Sequence, residues 1–366
     1  MAKKKVVKVL DVNGWAELQQ TDEPEIRRLK TEIRRQHKLI NKHRGGAELI
    51  VDAVREVYVE PPDLALPAKR KRDRRTTVVV EEAWLHLSDT QIGKRTDTYS
   101  TAVCADRLDI LVDKVERITE TRRASAKVDV CHLLLGGDMV EGETIFGGQA
   151  WEVDSDLFDQ AVRLGPAMVA RVVLRLAEIY PEVHIAAVAG NHGRSGGKYS
   201  GVSKRTNWDR VLYEITKLIV MGATGDKRER ELRKRITWDI AESFYTVQDV
   251  AGWGVLGVHG DQIRGGFAGF PFYGAAKKAW GWIDSIDQPW TYLAFGHFHT
   301  FTFGTLNKRY YLANGTTESS NVFAQEQLAA CGDPCQRLAF FNREHGLVAD
   351  HQVILATSRK PDYEAK

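Results

Sequence analysis

Short apolar runs alternate with amphipathic stretches between residues 80 and 220. The runs "VVVEEAWLHL", "VCHLLL" and "VHIAAVA" have the length of buried strands. Residues 104–123, 154–179 and 207–220 repeat apolar positions at helical spacing. Beyond residue 235 the runs are mostly strand-like, apart from one helical stretch near 273–284. The pattern predicts βαβ units followed by a β-rich half, which is an α/β fold with sheet layers covered by helices.

The first 80 residues differ in pattern from the rest of the chain. Residues 23–43 predict a helix with a narrow apolar stripe, and residues 60–75 combine proline with a basic cluster, which is typical of a linker. We therefore predict a basic, partly helical N-terminal extension over 1–80, a main domain over 81–357 and a tail over 358–366. The helix over 23–43 has three interpretations: a solvated face, a homodimer seam or a nucleic-acid arm.

Charge is spread unevenly along the chain. The first 80 residues have 19 basic against 12 acidic side chains, a net of +7, and the remaining 286 have a net of −4, which gives the formal +3. A basic arm on a slightly acidic body suits a polyanionic partner. The four cysteines form no pattern of a zinc knuckle or a disulfide framework, and we find no signal peptide or membrane span. We expect a cytoplasmic protein that does not bind membranes.

Five apolar strands end in polar clusters. These clusters are Asp89-Thr90-Gln91, Asp138, Asn191-His192, His259 and His297-Phe298-His299. Open α/β sheets bind ligands at the carboxyl ends of their strands, and mixed oxygen and nitrogen donors without thiolate suit divalent first-row metals. Taken singly, each cluster is a turn or a hydrogen-bonded core residue. Taken together in this order, they predict two divalent ions about 3.5–4 Å apart, bridged by an aspartate.

The order D-x-Q, GD, GNH, GH and GHxH resembles the calcineurin-like metallophosphoesterase superfamily. Within it, the chain is similar to the DNA double-strand-break repair nucleases and their phage-encoded relatives. The resemblance covers residues 83–355 and implies a two-layered β-sandwich flanked by helices, with a dinuclear centre at one edge. It assigns His192 as general acid or phosphate donor. It assigns seven metal ligands, with Asp138 bridging: Asp89, Gln91 and His299 on one side, and Asn191, His259 and His297 on the other.

The chain departs from the family pattern in three places. Gln91 replaces a histidine, and its hard carbonyl donor favours Mn²⁺, with Mg²⁺, Fe²⁺ and Zn²⁺ as alternatives; a single tightly held ion is a further option. The segment "GNHGR" lacks the acidic residue that often follows the family's histidine, so another group must orient the His192 ring. A C-terminal capping domain is absent, so any substrate cap comes from the N-terminal extension or from insertions.

The same core chemistry serves several phosphoesters. The segment "GGDMVEGET" lacks the arginine of the related protein phosphatases, which argues against that class. Arg194, Lys198 and Arg264 are the candidate contacts to a diester phosphate. The basic stretch 227–235 and the mixed stretch 271–284 favour nucleic acid, although a helix core is the more usual position for residues such as Trp280 and Trp282.

We therefore predict a Mn²⁺-stimulated DNA nuclease. Two alternatives stay open: a phosphodiesterase for small molecules or cyclic nucleotides, and a nucleic-acid-binding adaptor with a weakened site. The resemblance also implies an ATPase partner, for which the 23–43 helix is the candidate surface.

Overall fold

The computed structural model describes residues 70–76, 78–145, 147–195, 204–222, 227–265, 270–319 and 332–356. The predicted helix over 23–43, Lys198 and the tail over 358–366 lie outside these ranges, and the predicted boundary near residue 80 stays a prediction. Within the described ranges, no helix is both long enough and apolar enough to cross a membrane.

The described part of the chain has five α-helices, of which four occupy the positions that the amphipathic stretches predict and one lies on the basic stretch 227–235. Helix α1 begins after Ser100, whose side chain accepts a hydrogen bond from the Val103 amide. A π-helical turn over Asp159–Leu164 precedes α2, so the predicted helix over 154–179 is regular only in its second half. The helices are α1 Thr101–Arg123, α2 Gly165–Ile179, α3 Trp208–Met221, α4 Lys227–Arg235 and α5 Phe272–Ser285.

A six-stranded sheet forms the first layer, in the order β11-β10-β1-β2-β3-β4. Its four strands β1 to β4 run parallel, as the βαβ pattern predicts, while β10 and β11 are antiparallel additions at one edge. The strands are β1 Val79–Leu87, β2 Ala126–Leu135, β3 Glu182–Ala187, β4 Ile236–Ile240, β10 Cys335–Asn342 and β11 Gly346–Ile354.

A five-stranded mixed sheet forms the second layer, in the order β5-β6-β7-β9-β8. One core cluster joins the two sheets, because Trp84 and Leu134 of the first pack with Tyr292 and Leu312 of the second. The prediction of a two-layered sandwich flanked by helices is confirmed. The strands are β5 Tyr245–Val250, β6 Trp253–Val258, β7 Tyr292–Phe295, β8 Thr302–Leu306 and β9 Arg309–Ala313.

A buried arginine ties the two layers together. Arg337 of β10 is fully buried and pairs with Asp350 of β11. Its guanidinium also donates to the carbonyl oxygens of Thr302 and Ala313 in the second sheet, at 2.7 and 2.8 Å, and lies 3.8 Å from the centre of the Phe301 ring. A buried charge is tolerated only when it is paired and hydrogen-bonded, so this one side chain fixes the relative position of the two sheets.

We predict that Arg337→Met lowers the free energy of unfolding by about 3 kcal/mol, because it removes the hydrogen bonds to two carbonyl oxygens and the ion pair with Asp350. Urea unfolding measures the difference, with Arg343→Met at an exposed position as the matched control. Equal stability of Arg337→Met and the wild type would show that the buried guanidinium is not needed to join the sheets.

Candidate metal centre

The loops that follow the central strands meet at one edge of the sandwich. The Gly136 amide donates to the Leu87 carbonyl at 2.8 Å and the Val188 amide to the Leu135 carbonyl at 2.9 Å, so neighbouring parallel strands end at the same level. In the second sheet, the Gly296 amide donates to the His259 carbonyl at 2.9 Å. All seven predicted ligands lie on these loops.

One group of ligands surrounds Asp138. The nitrogen and oxygen atoms of Asp138, His259 and His297 that could bind a cation lie within 4.8 Å of one another. His259 Nε2 is 3.0 Å from Asp138 Oδ2 and 3.1 Å from Asn191 Oδ1. Because His259 Nδ1 donates to the Gly136 carbonyl at 2.9 Å, Nε2 is the atom left to face the centre.

A second group surrounds Asp89. His299 Nε2 is 3.4 Å from Asp89 Oδ1, and His299 Nδ1 lies 2.9 Å from the buried Glu318 Oε1, which fixes the ring in the same sense. Asp89 also accepts hydrogen bonds from the His297 amide at 3.0 and 3.1 Å. His297 therefore links the two groups of ligands: its backbone amide binds Asp89, and its side chain lies beside Asp138.

Most of the predicted ligands have a strained backbone. Seven described residues other than glycine have a left-handed φ, and five of them are predicted ligands. Such a conformation costs about 1–3 kcal/mol each and persists where the surrounding structure enforces it. The five, with φ between 43° and 67°, are Asp89, Gln91, Asp138, His297 and His299.

Two glycines allow the strand ends to approach the carboxylates. A Cβ on Gly190 would lie 2.1 Å from Asp138 Oδ1, and a Cβ on Gly296 would lie 2.1 Å from Asp89 Oδ2. Any other residue would push these loops away from the centre. The "G" of "GNH" and of "GHFH" is therefore a packing requirement of the site.

The site stabilises positive charge. Burial lowers the pKa of His259, but the Asp138 carboxylate outweighs burial and raises this pKa to about 9. In the same way, Glu318 and Asp89 outweigh the burial of His299 and raise its pKa to about 10. Burial beside His259 lowers the pKa of His297 to about 4. Buried oxygen and nitrogen donors in a negative field fit divalent cations.

His192 is oriented by a residue that the sequence analysis did not identify. Its Nδ1 lies 2.9 Å from the carbonyl oxygen and 3.3 Å from the side-chain Oε2 of Glu141. Its Nε2 lies 3.9 Å from Asp138 Oδ2, on the side of the centre. Burial lowers the pKa of His192, but Asp138 and Glu141 outweigh it and raise the pKa to about 9. Glu141 thus supplies the orienting carboxylate that "GNHGR" lacks.

Asp209, at the start of α3, was also missed. Its two oxygens accept four backbone hydrogen bonds, from the amides of Asp138, Met139, Val140 and Gly190, at 2.8–3.2 Å. The side chain is fully buried. Burial and the Asp138 carboxylate raise the pKa of Asp209, while the N–H groups favour its charge. One carboxylate therefore fixes both the Asp138 loop and the Asn191 loop.

Gln91 is placed beside His299, but its carbonyl oxygen faces a cation of the chain. The Lys94 ammonium is 3.1 Å from Gln91 Oε1 and pairs with Glu318, while Gln91 Nε2 is 3.5 Å from His299 Nε2. The amide oxygen that would bind a metal thus accepts a hydrogen bond from an ammonium. The Asp89 position is consequently less favourable to a cation than the Asp138 position.

The predicted phosphate contacts differ in their surroundings. Arg194 lies three residues from Asn191 and donates to its carbonyl oxygen at 2.5 Å. Arg264 is exposed on the loop that follows His259. A further missed residue, Lys204, donates to the Gly190 carbonyl at 2.8 Å and pairs with Asp261 at 3.0 Å, so it links the loops of both sheets.

No protein-family model matches this chain, and no curated protein matches it. Among solved structures it is similar to Vacuolar Protein Sorting 29 from Cryptosporidium parvum (13% identity, 75% of this chain, 98% of that one, TM-score 0.35). It is also similar to the Zn²⁺ complex of Vps29 from Entamoeba histolytica (12% identity, 75% of this chain, 99% of that one, TM-score 0.32). A further similar structure is that of a novel archaeal phosphodiesterase (10% identity, 74% of this chain, 99% of that one, TM-score 0.32). Likenesses this weak establish neither family nor activity.

We predict that Asp209→Asn weakens Mn²⁺ binding and lowers the free energy of unfolding by about 3 kcal/mol, because an amide presents an N–H where the backbone donors require an acceptor. Urea unfolding and a Mn²⁺ titration measure the two effects. Asp106→Asn, on the exposed face of α1, is the matched control. Unchanged Mn²⁺ affinity in Asp209→Asn would contradict a positioning role.

We also predict that Mn²⁺ titrates two unequal sites, and that Lys94→Gln tightens the weaker site by about tenfold, since it removes a neighbouring positive charge. Electron paramagnetic resonance of free Mn²⁺ measures both affinities without turnover. Lys217→Gln on α3 controls for the loss of a lysine elsewhere. A weaker site that binds less tightly in Lys94→Gln would mean that the ammonium assists the metal instead of opposing it.

Proposed function

We propose that this chain is a calcineurin-like metallophosphoesterase, a metal-dependent phosphodiesterase that hydrolyses DNA. The observation that carries the proposal is the left-handed backbone at five of the seven predicted ligands. A fold that needed these residues only for packing would not concentrate its strain there. Two divalent ions, with Mn²⁺ favoured, suit the mixed oxygen and nitrogen donors.

Bound ions would supply Lewis acidity toward a phosphoryl oxygen and acidify water beside the phosphorus. The chain contributes the placement of the donors. Asp138 Oδ1 accepts from the amides of Asn191 and His192 at 2.6 and 2.7 Å, which leaves Oδ2 as the oxygen that faces the centre. His259 and His299 each present Nε2 to the centre, because Nδ1 of His259 contacts the Gly136 carbonyl and Nδ1 of His299 contacts the Glu318 carboxylate.

His192 is the group that we propose to move a proton. Its contact with Glu141 places the Nδ1 hydrogen away from the centre and leaves Nε2 facing the site. Its side chain is 16% exposed, so a substrate can reach it. A protonated His192 Nε2 would donate to the leaving oxygen, and Glu141 would stabilise the imidazolium as the ring approaches the phosphate.

Two features support a diester in DNA over a phosphoprotein. The loop from Gly136 to Thr144 carries Glu141 and no arginine that could grip a monoester. Arg194 and Arg264 lie on two loops that border the centre, where they would contact backbone phosphates on either side of the cleaved bond. That the chain belongs with the repair nucleases is part of the same proposal, and it is supported by the order of the motifs in the sequence.

The linker adds less to this affinity than its sequence predicts. Arg70 and Arg72 pair with Glu120 and Glu182 of the main domain, and Arg75 pairs with Asp73 at 2.6 Å. Arg75 also donates to the Arg123 carbonyl at 2.7 Å. These guanidinium groups hold the segment against the domain, which leaves less of their charge for a polyanion.

One observation favours the adaptor as a second candidate. Gln91 and Lys94 together replace a metal donor with an amide that already accepts a hydrogen bond. A chain that binds only one ion, and binds DNA without cleaving it, would fit this arrangement. The intact group around Asp138 favours the enzyme.

The first test incubates end-labelled single-stranded and duplex DNA with the full chain and Mn²⁺. We expect cleavage that a chelator abolishes and that falls by roughly 10²–10⁴-fold in His192→Ala, which removes the proposed acid. Glu141→Gln should lower the rate by about 10–100-fold, since it loosens the ring while leaving it in place.

Two controls make the test decisive. Glu344→Gln, at an exposed position, should cleave DNA at the wild-type rate, and Mn²⁺ affinity should be unchanged in His192→Ala. If the protein hydrolyses a small aryl diester but leaves DNA uncleaved, the small-molecule alternative is favoured. If the protein binds DNA but hydrolyses neither DNA nor the small diester, the adaptor is favoured.

A further inference from the structure

Helix α5 exposes large aromatic rings on one face. Its inner face packs Ala275, Ala279 and Trp282 into the core of the second sheet. On its outer face Tyr273 is 75% exposed and Trp280 is 57% exposed. Phe272, in the first turn, is 52% exposed as well. Large aromatic side chains are mostly buried in soluble proteins, so three exposed rings on one helix indicate a binding surface.

The exposed rings follow a regular spacing with a cation between them. Tyr273, Lys277 and Trp280 are at positions i, i+4 and i+7, which lie along one face of a helix over roughly 10 Å. Lys277 is exposed, whereas the ammonium of its neighbour Lys278 lies 5.7 Å from the centre of the Trp282 ring, toward the inner face. We call Tyr273, Lys277 and Trp280 the aromatic stripe.

The aromatic stripe begins beside the metal centre. A Cβ on Gly274 would lie 2.0 Å from the Arg264 carbonyl oxygen, so the first turn of α5 rests on the loop that follows His259. Just before the helix, the Phe270 ring packs 5.9 Å from the ring of Phe298, which stands between the ligands His297 and His299. These contacts place the N-terminal end of α5, where Tyr273 lies, next to the loops that carry the predicted ligands.

We propose that the aromatic stripe is a stacking platform for the unpaired bases of a DNA single strand that enters the metal centre. The inference rests on the proposed function and extends it to the substrate's form. Aromatic rings stack on bases of any sequence, and an ammonium between them neutralises a backbone phosphate.

The composition of the stripe favours a nucleic acid over a protein partner. The large apolar side chains that α5 exposes are all aromatic, and the middle position is a lysine. Protein interfaces favour aromatic residues but deplete lysine at their centre. Asp284 is exposed on the last turn of α5, and its negative charge would repel a backbone phosphate beyond Trp280.

The test measures binding without turnover. Fluorescence anisotropy of a labelled oligothymidylate, with a chelator present, compares the full wild-type chain with Tyr273→Leu/Trp280→Leu and Tyr273→Phe/Trp280→Phe. The leucine variant keeps an apolar side chain at each position but loses the ring, so we expect binding to weaken by about 10–100-fold. The phenylalanine variant should stay within about threefold of the wild type. Leu218→Ala on α3 controls for loss of an exposed apolar side chain.

Parallel assays separate the outcomes. Hydrolysis of a small aryl diester with Mn²⁺ should be equal in all variants, because that substrate does not reach the stripe. Wild-type affinity in the leucine variant, or an equal loss of small-diester hydrolysis, would overturn the platform. A third result would also overturn the platform: light scattering shows that the wild type is a dimer and the leucine variant a monomer, while both bind DNA equally well. A wild type that binds oligothymidylate through the rings yet hydrolyses nothing would uphold the platform and reject the proposed nuclease.

Discussion

The Asp209 carboxylate is the interaction on which the rest of the site depends. It accepts backbone hydrogen bonds from Asp138, Met139, Val140 and Gly190, so one side chain on α3 holds the ends of β2 and β3 in register with each other. A buried anion is stable only with several donors, and four N–H groups meet that requirement. The Asp138 loop in turn presents its own carboxylate to the Asn191 loop, and both sheets contribute to the centre through it.

Hydrogen bonds and ion pairs from the surrounding residues stabilise the strained backbone at Asp89 and His299. Asp89 accepts from the His297 amide, and its own carbonyl accepts from Thr316 Oγ1 at 2.7 Å. His299 is left-handed and is braced by the buried Glu318, whose charge Lys94 neutralises. At about 1–3 kcal/mol for each of the five strained residues, the total is comparable to a typical margin of stability, so such bonds are needed to offset it. Rigidity at the centre is therefore a property of the surrounding polar network more than of the ligands.

The helices and strands could be predicted because apolar spacing reports local structure. The strand ends, and hence the clustering of the ligands, followed from the same pattern. What the pattern could not give was the residues that position them: Glu141 meets His192 across 51 residues of chain, and Lys94 meets Glu318 across 224. Neither Glu141 nor Lys94 stands out from the many charged residues around it. The stretch "NWDR" offered one signal, a capping asparagine followed by a buried aspartate in the first turn of α3, which the sequence analysis did not use.

The distribution of free charge and exposed rings argues against recognition by the N-terminal basic cluster alone. Arg70, Arg72 and Arg75 are engaged by carboxylates, so their contribution to a polyanion is reduced by the ion pairs that binding would have to break. On α5, by contrast, the rings of Tyr273 and Trp280 are already largely exposed, so a base can stack on them without first breaking an ion pair. A rigid helix that starts on the loop after His259 can also fix a strand's direction, which a charged linker cannot do. If the proposed platform binds DNA, selectivity for an unpaired strand would come from geometry, and the electrostatic contribution would add affinity without choosing the substrate.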